Sequence, residues 1–404
     1  MTVPAAERPS PSLVLILGSL SAIPPLAIDM YLPALPVIAR DLGSNEGAIQ
    51  FSLMAFFAGL MLGQLFYGPL ADRYGRKPLL YFGLTVFVMA SLGCSLVGNA
   101  RDLSILRFVQ GLGGSVGMIM AFAIVRDLYT GLKASHLLSL VVVVLGVTPI
   151  VAPLFGSAII AFGSWPVIFL VQGALAATLM VLVARYLPET RSVELRHAAN
   201  PASTLRNYAS LLVNKRYIPF VAVVCIAQAG FFAYLSASAP ILIATFGLSS
   251  FAYSVAFALN AFGMMAGARS SAIVVRRFPP GLIIRGALAI YLLSATVLLA
   301  MSVAGLASLY PFAAALFIII AMLGFIMPVS SMLAMESVGA IAGTAAALMG
   351  AFQFGAGAMA SAAMGAFSNW SIMPMAVCIF VCGLASASLS LLAFPKYSSE
   401  TVVR

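Results

Sequence analysis

Charge is what this sequence has least of. Of its 404 residues, 11 are acidic and 21 basic, and charged side chains make up 8% of the chain. A soluble domain carries about 25%, because its surface has to face water, so a water-soluble globule of this size is excluded. Histidine and tryptophan occur only 2 times each. The cysteines Cys94, Cys225, Cys378 and Cys382 all lie in apolar stretches, which speaks against a disulfide framework or a Cys/His metal centre. Cys378 and Cys382, four apart, share a helix face but form no CxxC pair; they read as small packing residues. The opening residues are polar, and the first apolar run is too long for a signal-peptide core and lacks a small-x-small cleavage site. No cleaved leader is expected.

What the chain has is apolar length: 62% hydrophobic residues and a mean hydropathy of +1.09. A membrane span needs about 20 apolar residues. Twelve such runs are predicted, at 13–38, 48–70, 78–98, 102–126, 135–161, 165–186, 217–243, 251–275, 282–304, 308–331, 342–367 and 371–394. The one long connector holds Pro188, Glu189, Arg191, Glu194, Arg196, His197, Arg206, Lys215 and Arg216. It divides the chain into an N-terminal six-helix bundle (1–187), a central loop (188–216) and a C-terminal six-helix bundle (217–404). The fold class is thus all-α membrane protein, with twelve transmembrane helices in two pseudo-symmetric bundles.

The net charge of +10 does not point to nucleic acid, because no basic face with interleaved aromatics exists. Outside the spans, the Lys and Arg residues other than Arg40 and Arg101 fall on the side that holds both termini and the central loop. That asymmetry places both termini on the cytoplasmic side of the membrane.

The halves read as a parallel repeat. Pro36 matches Pro240 (240 − 36 = 204), and the same offset pairs Gly43 with Gly247, Gly59 with Gly263, Gly63 with Gly267 and Arg73 with Arg277. Duplicated bundles around a central cavity are a common transporter plan.

The strongest local pattern follows the second span: GPLADRYGRKP, residues 68–78. Glycines there allow a tight turn between helices. Asp72 is expected to pair with a cation at a neighbouring helix end, best Arg126, while Arg73, Arg76 and Lys77 hold the loop at the inner face. Gly68 and Gly75 complete this candidate switch loop. Its order of glycine, acid and bases resembles the loop signature of the major facilitator superfamily, with a weaker copy at Arg276–Gly281. Three further stretches resemble the drug:proton antiporters of the Bcr/CflA subfamily: IDMYLPALP (28–36), LRFVQG (106–111) and AGTA (342–345). The resemblance covers nearly the whole chain. It implies two bundles rocking about a midplane cavity, and export of small molecules, such as bicyclomycin- or chloramphenicol-type drugs, driven by protons. The fifth span, with Gly146, Pro149, Pro153 and Gly156, resembles the antiporter motif G-P-x-x-G-G, although Ala152 and Ser157 replace two of its glycines.

Read from the residues alone, Asp29 is the one carboxylate well inside a span, and Arg107 is one of two such cations. The other, Arg269, is close enough to the inner end to snorkel. Ionisable groups at membrane depth are costly and usually face a bundle interior or a wet cavity. Asp29 lies about 14 Å from the outer end of its span and Arg107 about 8 Å from the start of its own, so the two are expected to interact across the cavity, directly or through water. A buried carboxyl group is sensitive to desolvation and to nearby cations, so alternating access can toggle its proton. The repeat places Ala233 and Pro311 opposite Asp29 and Arg107, which makes the ionisable pair an addition to the shared scaffold. An ion pair that only locks two helices is the alternative.

Substrate contacts are expected at Asp29, Tyr31, Gln110, Gln228, Phe231, Phe232, Tyr234, Asn260 and Gln353, since aromatic and adaptable side chains suit varied lipophilic ligands. The function expected is a proton-coupled multidrug antiporter exporting lipophilic or amphipathic antimicrobials. The alternative is an exporter of one metabolite, a purine, sugar or amino acid, on the same fold. No catalytic residue, metal or cofactor beyond the proton gradient is expected, and a monomer suffices. A membrane enzyme would need Asp-rich or Ser–His constellations at depth, and a channel rings of polar residues; neither pattern is present.

Overall fold

The computed structural model describes residues 10–197, 201–367 and 371–393, and both chain termini lie outside it. Its helices are α1 (Pro11–Asp29), α2 (Leu35–Asp41), α3 (Glu46–Tyr74), α4 (Arg76–Cys94), α5 (Ala100–Leu128), α6 (Gly131–Phe162), α7 (Pro166–Tyr186), α8 (Val193–His197), α9 (Pro201–Leu212), α10 (Ile218–Pro240), α11 (Ser250–Val274), α12 (Pro280–Val303), α13 (Leu309–Glu336), α14 (Ala342–Ala366) and α15 (Ile372–Ala393). Twelve segments among the described residues are long and apolar enough to cross a membrane, the first being the bent unit Pro11–Asp41. All backbone polar groups are satisfied within a helix, which is why helices are the form such apolar runs take in lipid.

Burial is inverted relative to a soluble protein. Large apolar side chains such as Phe162, Leu293 and Met359 are exposed on the outside, while Gln110, Gln172, Ser236 and Arg107 are buried. Helix ends are set by ordinary chemistry. Asn45, Asn99 and Ser249 cap α3, α5 and α11, each accepting a backbone N–H three residues on, as N-cap side chains do.

The first bundle comprises α1 to α7 and the second α10 to α15. In each, corresponding helices pack on glycine: α3 on α5, and α11 on α13. A Cβ added at Gly63 would run into Ser115, and one at Gly267 into the Ala321 carbonyl. Without a hydrophobic drive between helices in lipid, such close backbone approach is what holds them together. The repeat also shows at Gly43 and Gly247, which turn with φ of +56° and +71°. The bundles meet along two seams, α3 against α14 and α6 against α11. The central connector carries two short helices, α8 and α9, where only a loop was expected. Tyr208 of α9 donates to the Leu65 carbonyl of α3 at 3.1 Å, and Leu211 is fully buried.

Candidate transport site

Proline decides where the first span breaks. In a continuous helix the N–H of residue 33 would bond to the Asp29 carbonyl, and residue 36 to Leu32. Pro33 and Pro36 have no N–H to give. The helix tightens instead: the Tyr31 N–H moves from Ala27 to the Ile28 carbonyl at 3.1 Å, and Leu32–Ala34 form one 3₁₀ turn before α2 begins. Asp29 is therefore the last residue of α1, at a helix end inside the membrane, and is 4% exposed.

The shift leaves the Ala27 carbonyl without its usual partner. Arg107 Nη1 donates to it at 3.3 Å and Gln172 Nε2 at 3.5 Å. Arg107 Nη1 also donates to Gln110 Oε1 at 2.6 Å, and Gln110 Nε2 donates to Ser91 Oγ at 2.8 Å and to Gln172 Oε1 at 3.0 Å. The guanidinium lies 4.1 Å from the ring centre of Phe56, 4.7 Å from Tyr31 and 5.8 Å from Phe169. These faces shelter a fully buried cation whose Nε and Nη2 have no acceptor. The direct form of the expected interaction, an Arg107–Asp29 ion pair, is not formed. The cation is held by a helix-end carbonyl, where the backbone dipole favours positive charge.

Asp29 opens on the other side, into a cavity of about 180 Å³ between the bundles. The first bundle contributes Pro24, Pro25, Met118 and Pro149 to its wall, and the second Gln228, Phe231, Phe232, Tyr234, Asn260 and Phe354. The rings interlock: Phe232 meets Phe57 edge-on at 4.7 Å, and Tyr234 stacks on Phe257 at 5.9 Å. Asn260 Nδ2 donates to the Tyr234 hydroxyl at 2.9 Å, while the buried Gln228 Oε1 has no donor. Of the expected contacts, Asp29, Gln228, Phe231, Phe232, Tyr234 and Asn260 line the cavity. Tyr31 and Gln110 do not: the Tyr31 hydroxyl pairs with Ser52 Oγ at 2.8 Å, and Gln110 belongs to the Arg107 network. Gln353 is also absent from the wall. Sequence reading missed Phe257 and Met264, although with Asn260 they follow the i, i+3, i+7 spacing of one helix face.

The fifth-span motif residues, on α6, each touch something different. Pro149 lines the cavity. A Cβ at Gly156 would collide with the Met30 carbonyl, so this glycine lets α6 lie against the break in α1. Gly146 faces Met265 of α11, and the Pro153 carbonyl accepts from Ser254 Oγ of α11 at 2.9 Å. Arg269 is exposed near the end of α11.

At the face carrying the central connector, Gly75 joins α3 to α4 with φ of +101°, a conformation open to glycine. Asp72 pairs with Arg76 at 2.9 Å and with Arg191 at 3.8 Å, not with Arg126 as expected. Arg76 is shared with Asp127 at 2.8 Å. The Arg126 guanidinium lies against Gly343 in the first turn of α14, across the bundle boundary. Arg73 is exposed beside the Tyr74 ring, and Gly68 lies inside α3 with open space beside it rather than in the turn. Lys77 Nζ donates to the Ala184 carbonyl at 3.2 Å. Glu189 was passed over as a connector residue, yet it accepts the backbone N–H groups of Arg76 at 3.0 Å, Lys77 at 3.1 Å and Arg191 at 3.0 Å, and pairs with Arg196 at 3.5 Å. Partial burial works to raise its pKa; the three N–H donors and Arg196 outweigh it and hold the carboxyl below its ordinary value. A remote carboxylate thus caps α4 and ties the connector to the switch loop.

Two six-helix bundles enclosing an apolar cavity between them are the architecture of a membrane transporter. The chain belongs to the major facilitator superfamily: residues 17–361 match the family described as Major Facilitator Superfamily. It is 29% identical to a bicyclomycin resistance protein homolog of Haemophilus influenzae, over 96% of both chains. It is 31% identical to multidrug resistance protein D of Escherichia coli, over 87% of this chain and 88% of that one. Among solved structures, a D-xylose-proton symporter superposes with a TM-score of 0.75 at 15% identity, over 97% of this chain and 98% of that one; this likeness concerns the fold.

Proposed function

We propose that this transporter exports small lipophilic or amphipathic antimicrobials in exchange for protons, with Asp29 as the proton carrier. The observation that carries the proposal is the Asp29 carboxyl group. It sits at a helix break, in an aromatic cavity between the bundles, and no cation among the described residues pairs with it. An ionised carboxylate in such surroundings is costly without a partner, so its charge depends on which face admits water. The resistance proteins among its relatives support the direction of transport, and the excess of basic residues at the connector face supports an inner-membrane protein with that face in the cytoplasm.

In this reading a drug enters from the cytoplasm as Asp29 loses its proton inward. After the bundles rock, a proton arriving from outside restores the neutral acid and the drug leaves. Drug and proton need only favour different states or compete for one site. Arg107 acts through the backbone, holding the end of α1 so that Asp29 keeps its place. The charge network of Asp72, Arg76, Asp127 and Glu189 steadies one arrangement of the connector face.

The test is a drug-susceptibility panel in an efflux-deficient bacterium, comparing the intact chain with Asp29→Asn, followed by proton-coupled efflux in proteoliposomes. The intact chain raises resistance to several unrelated lipophilic drugs, and Asp29→Asn loses it. Full proton-coupled efflux by Asp29→Asn would refute the carrier assignment.

A further inference from the structure

The turn between α11 and α12 lies at the connector face and repeats the switch loop between α3 and α4. In the first bundle the cations of that loop are matched: Arg76 pairs with Asp72 and Asp127, and Arg196 with Glu189. At the 204-residue offset the three acids become Arg276, Ser331 and Ala393. Cations are added as well, since Arg269 and Arg285 stand where the first bundle has Leu65 and Tyr81. Glu336 is the one carboxylate among the described residues of the second bundle, and it pairs with none of these arginines.

Helix register places the arginines against lipid. On α11, Leu259, Phe262 and Ile273 are 57%, 60% and 59% exposed. Arg269, also exposed, falls on the same face as these three. An apolar face left open over several turns of a span is a lipid-facing one. On α12, Leu282 and Leu293 mark the corresponding stripe. Arg285 flanks it, half-buried, and its Nε has no acceptor among the described residues. Arg269 is five residues from the end of α11 (274 − 269 = 5) and Arg285 five from the start of α12 (285 − 280 = 5). Both therefore lie about 7 to 8 Å inside the helix ends. The turn between them carries the exposed Arg276 and Arg277 beside an exposed Phe278. Its backbone is tied to α11, because the Arg277 and Phe278 N–H groups both donate to the Val274 carbonyl. The two helices pack on α13 and not closely on each other, so the turn spans a gap between two lipid-facing stripes.

We infer that this corner binds an anionic phospholipid of the connector-side leaflet. An arginine that faces hydrocarbon without an acid has to extend its guanidinium to a polar partner at the interface. Headgroup phosphates lie at that level, and a phosphate accepts the paired N–H groups of a guanidinium. Arg269 and Arg285 supply those donors. Arg276 and Arg277 add a positive field that favours a net negative headgroup over a zwitterionic one. The acyl chains lie along the apolar stripes of α11 and α12. The first bundle lacks such a site, because its own acids occupy the cations of the matching loop.

The test uses the purified full chain in detergent, titrated with phosphatidylglycerol, phosphatidylcholine or inorganic phosphate. Bound lipid is counted by native mass spectrometry, and the melting temperature is followed in parallel. Phosphatidylglycerol is expected to bind about tenfold or more tighter than phosphatidylcholine and to raise the melting temperature; phosphate alone does neither. Arg269→Gln with Arg285→Gln lowers the phosphatidylglycerol affinity about tenfold or more, and Arg269→Lys with Arg285→Lys keeps the preference for the anionic lipid. Lys133→Gln with Arg185→Gln removes two exposed cations from the connector face of the first bundle. That control leaves the affinity within about twofold, because salt screens charges that do not touch the lipid. Equal affinity of the intact chain for the two lipids overturns the site, whether or not any variant folds. Equal losses in the two glutamine pairs also overturn it, making the attraction a property of the whole basic face. Stabilisation by inorganic phosphate alone assigns the corner to a soluble anion and overturns the lipid.

Discussion

Arg107 donates to the carbonyl of Ala27 at 3.3 Å, two residues before the acid with which it was expected to pair. The cation and the acid thus serve the same helix break from opposite sides: one holds the freed backbone carbonyl, the other faces the cavity. Their effects on stability should be independent. Arg107→Met leaves Ala27 and Gln110 short of a donor and is expected to cost about 1–3 kcal/mol. Asp29→Asn removes no side-chain partner among the described residues and is expected to cost less than Arg107→Met. In thermal unfolding in detergent, the double variant should equal the sum of the singles within about 0.5 kcal/mol. Coupling well beyond that value would restore the ion pair.

The connector carries a pH dependence with a definite sign. The Glu189 carboxyl is held below its ordinary value in the folded protein, so its contribution is complete above the unfolded Glu pKa of about 4.3. It is lost as pH falls through the lower folded value. Glu189→Gln is expected to destabilise the chain by about 1 kcal/mol at neutral pH, since the group is partly solvated. That difference should vanish in acid. Melting curves of both proteins across the acid range decide it, and a gap that persists below the folded pKa would rule out ionisation as the source.

Apolar run length marked the twelve spans, because lipid demands it, and the 204-residue offset marked the glycines where paired helices touch. Asp29 stood out because a lone acid at depth is expensive. Partners were less legible. The Arg107 acceptor is a backbone carbonyl that becomes free only when Pro33 and Pro36 break the helix, and a list of side chains contains no carbonyls. Asp72 was assigned Arg126 from helix-end proximity. Arg76 is four residues on along the chain, and the fold brings Arg191 and Asp127 around it. Tyr31 and Gln110 looked like cavity residues because polar and aromatic groups in a span need partners; packing inside the first bundle supplied them.

Gly156 offers a steric test of the α1 break. A side chain there would strike the Met30 carbonyl, which is backbone and cannot swing away. Gly156→Val is expected to cost about 1–3 kcal/mol through overpacking and to reduce transport more than Gly68→Val, where space is open. Comparing melting temperature and efflux for the two variants separates a local clash from a general intolerance of bulk. Equal losses would remove the special role of α6 at the break.

The contact between Ser254 and the Pro153 carbonyl joins the two bundles at the face remote from the connector, at 2.9 Å. Rocking the bundles apart there must break it; the one Ser254 proton is shared with a carbonyl of its own helix, so the contact favours the closed arrangement by less than the ~1 kcal/mol of a full hydrogen bond. Ser254 also bonds its own helix at Ser250, 2.9 Å away, so opening does not strand the hydroxyl, and the latch is weak by construction. Ser254→Ala is expected to raise the ratio of open to closed molecules by less than about fivefold. Spin labels at Phe162 and Phe251, both exposed, would report the distance distribution across that face, with Cys378 and Cys382 replaced by serine. A distribution unchanged by Ser254→Ala would mean that the α3–α14 seam alone sets closure, and that the α6–α11 hydrogen bond only follows it.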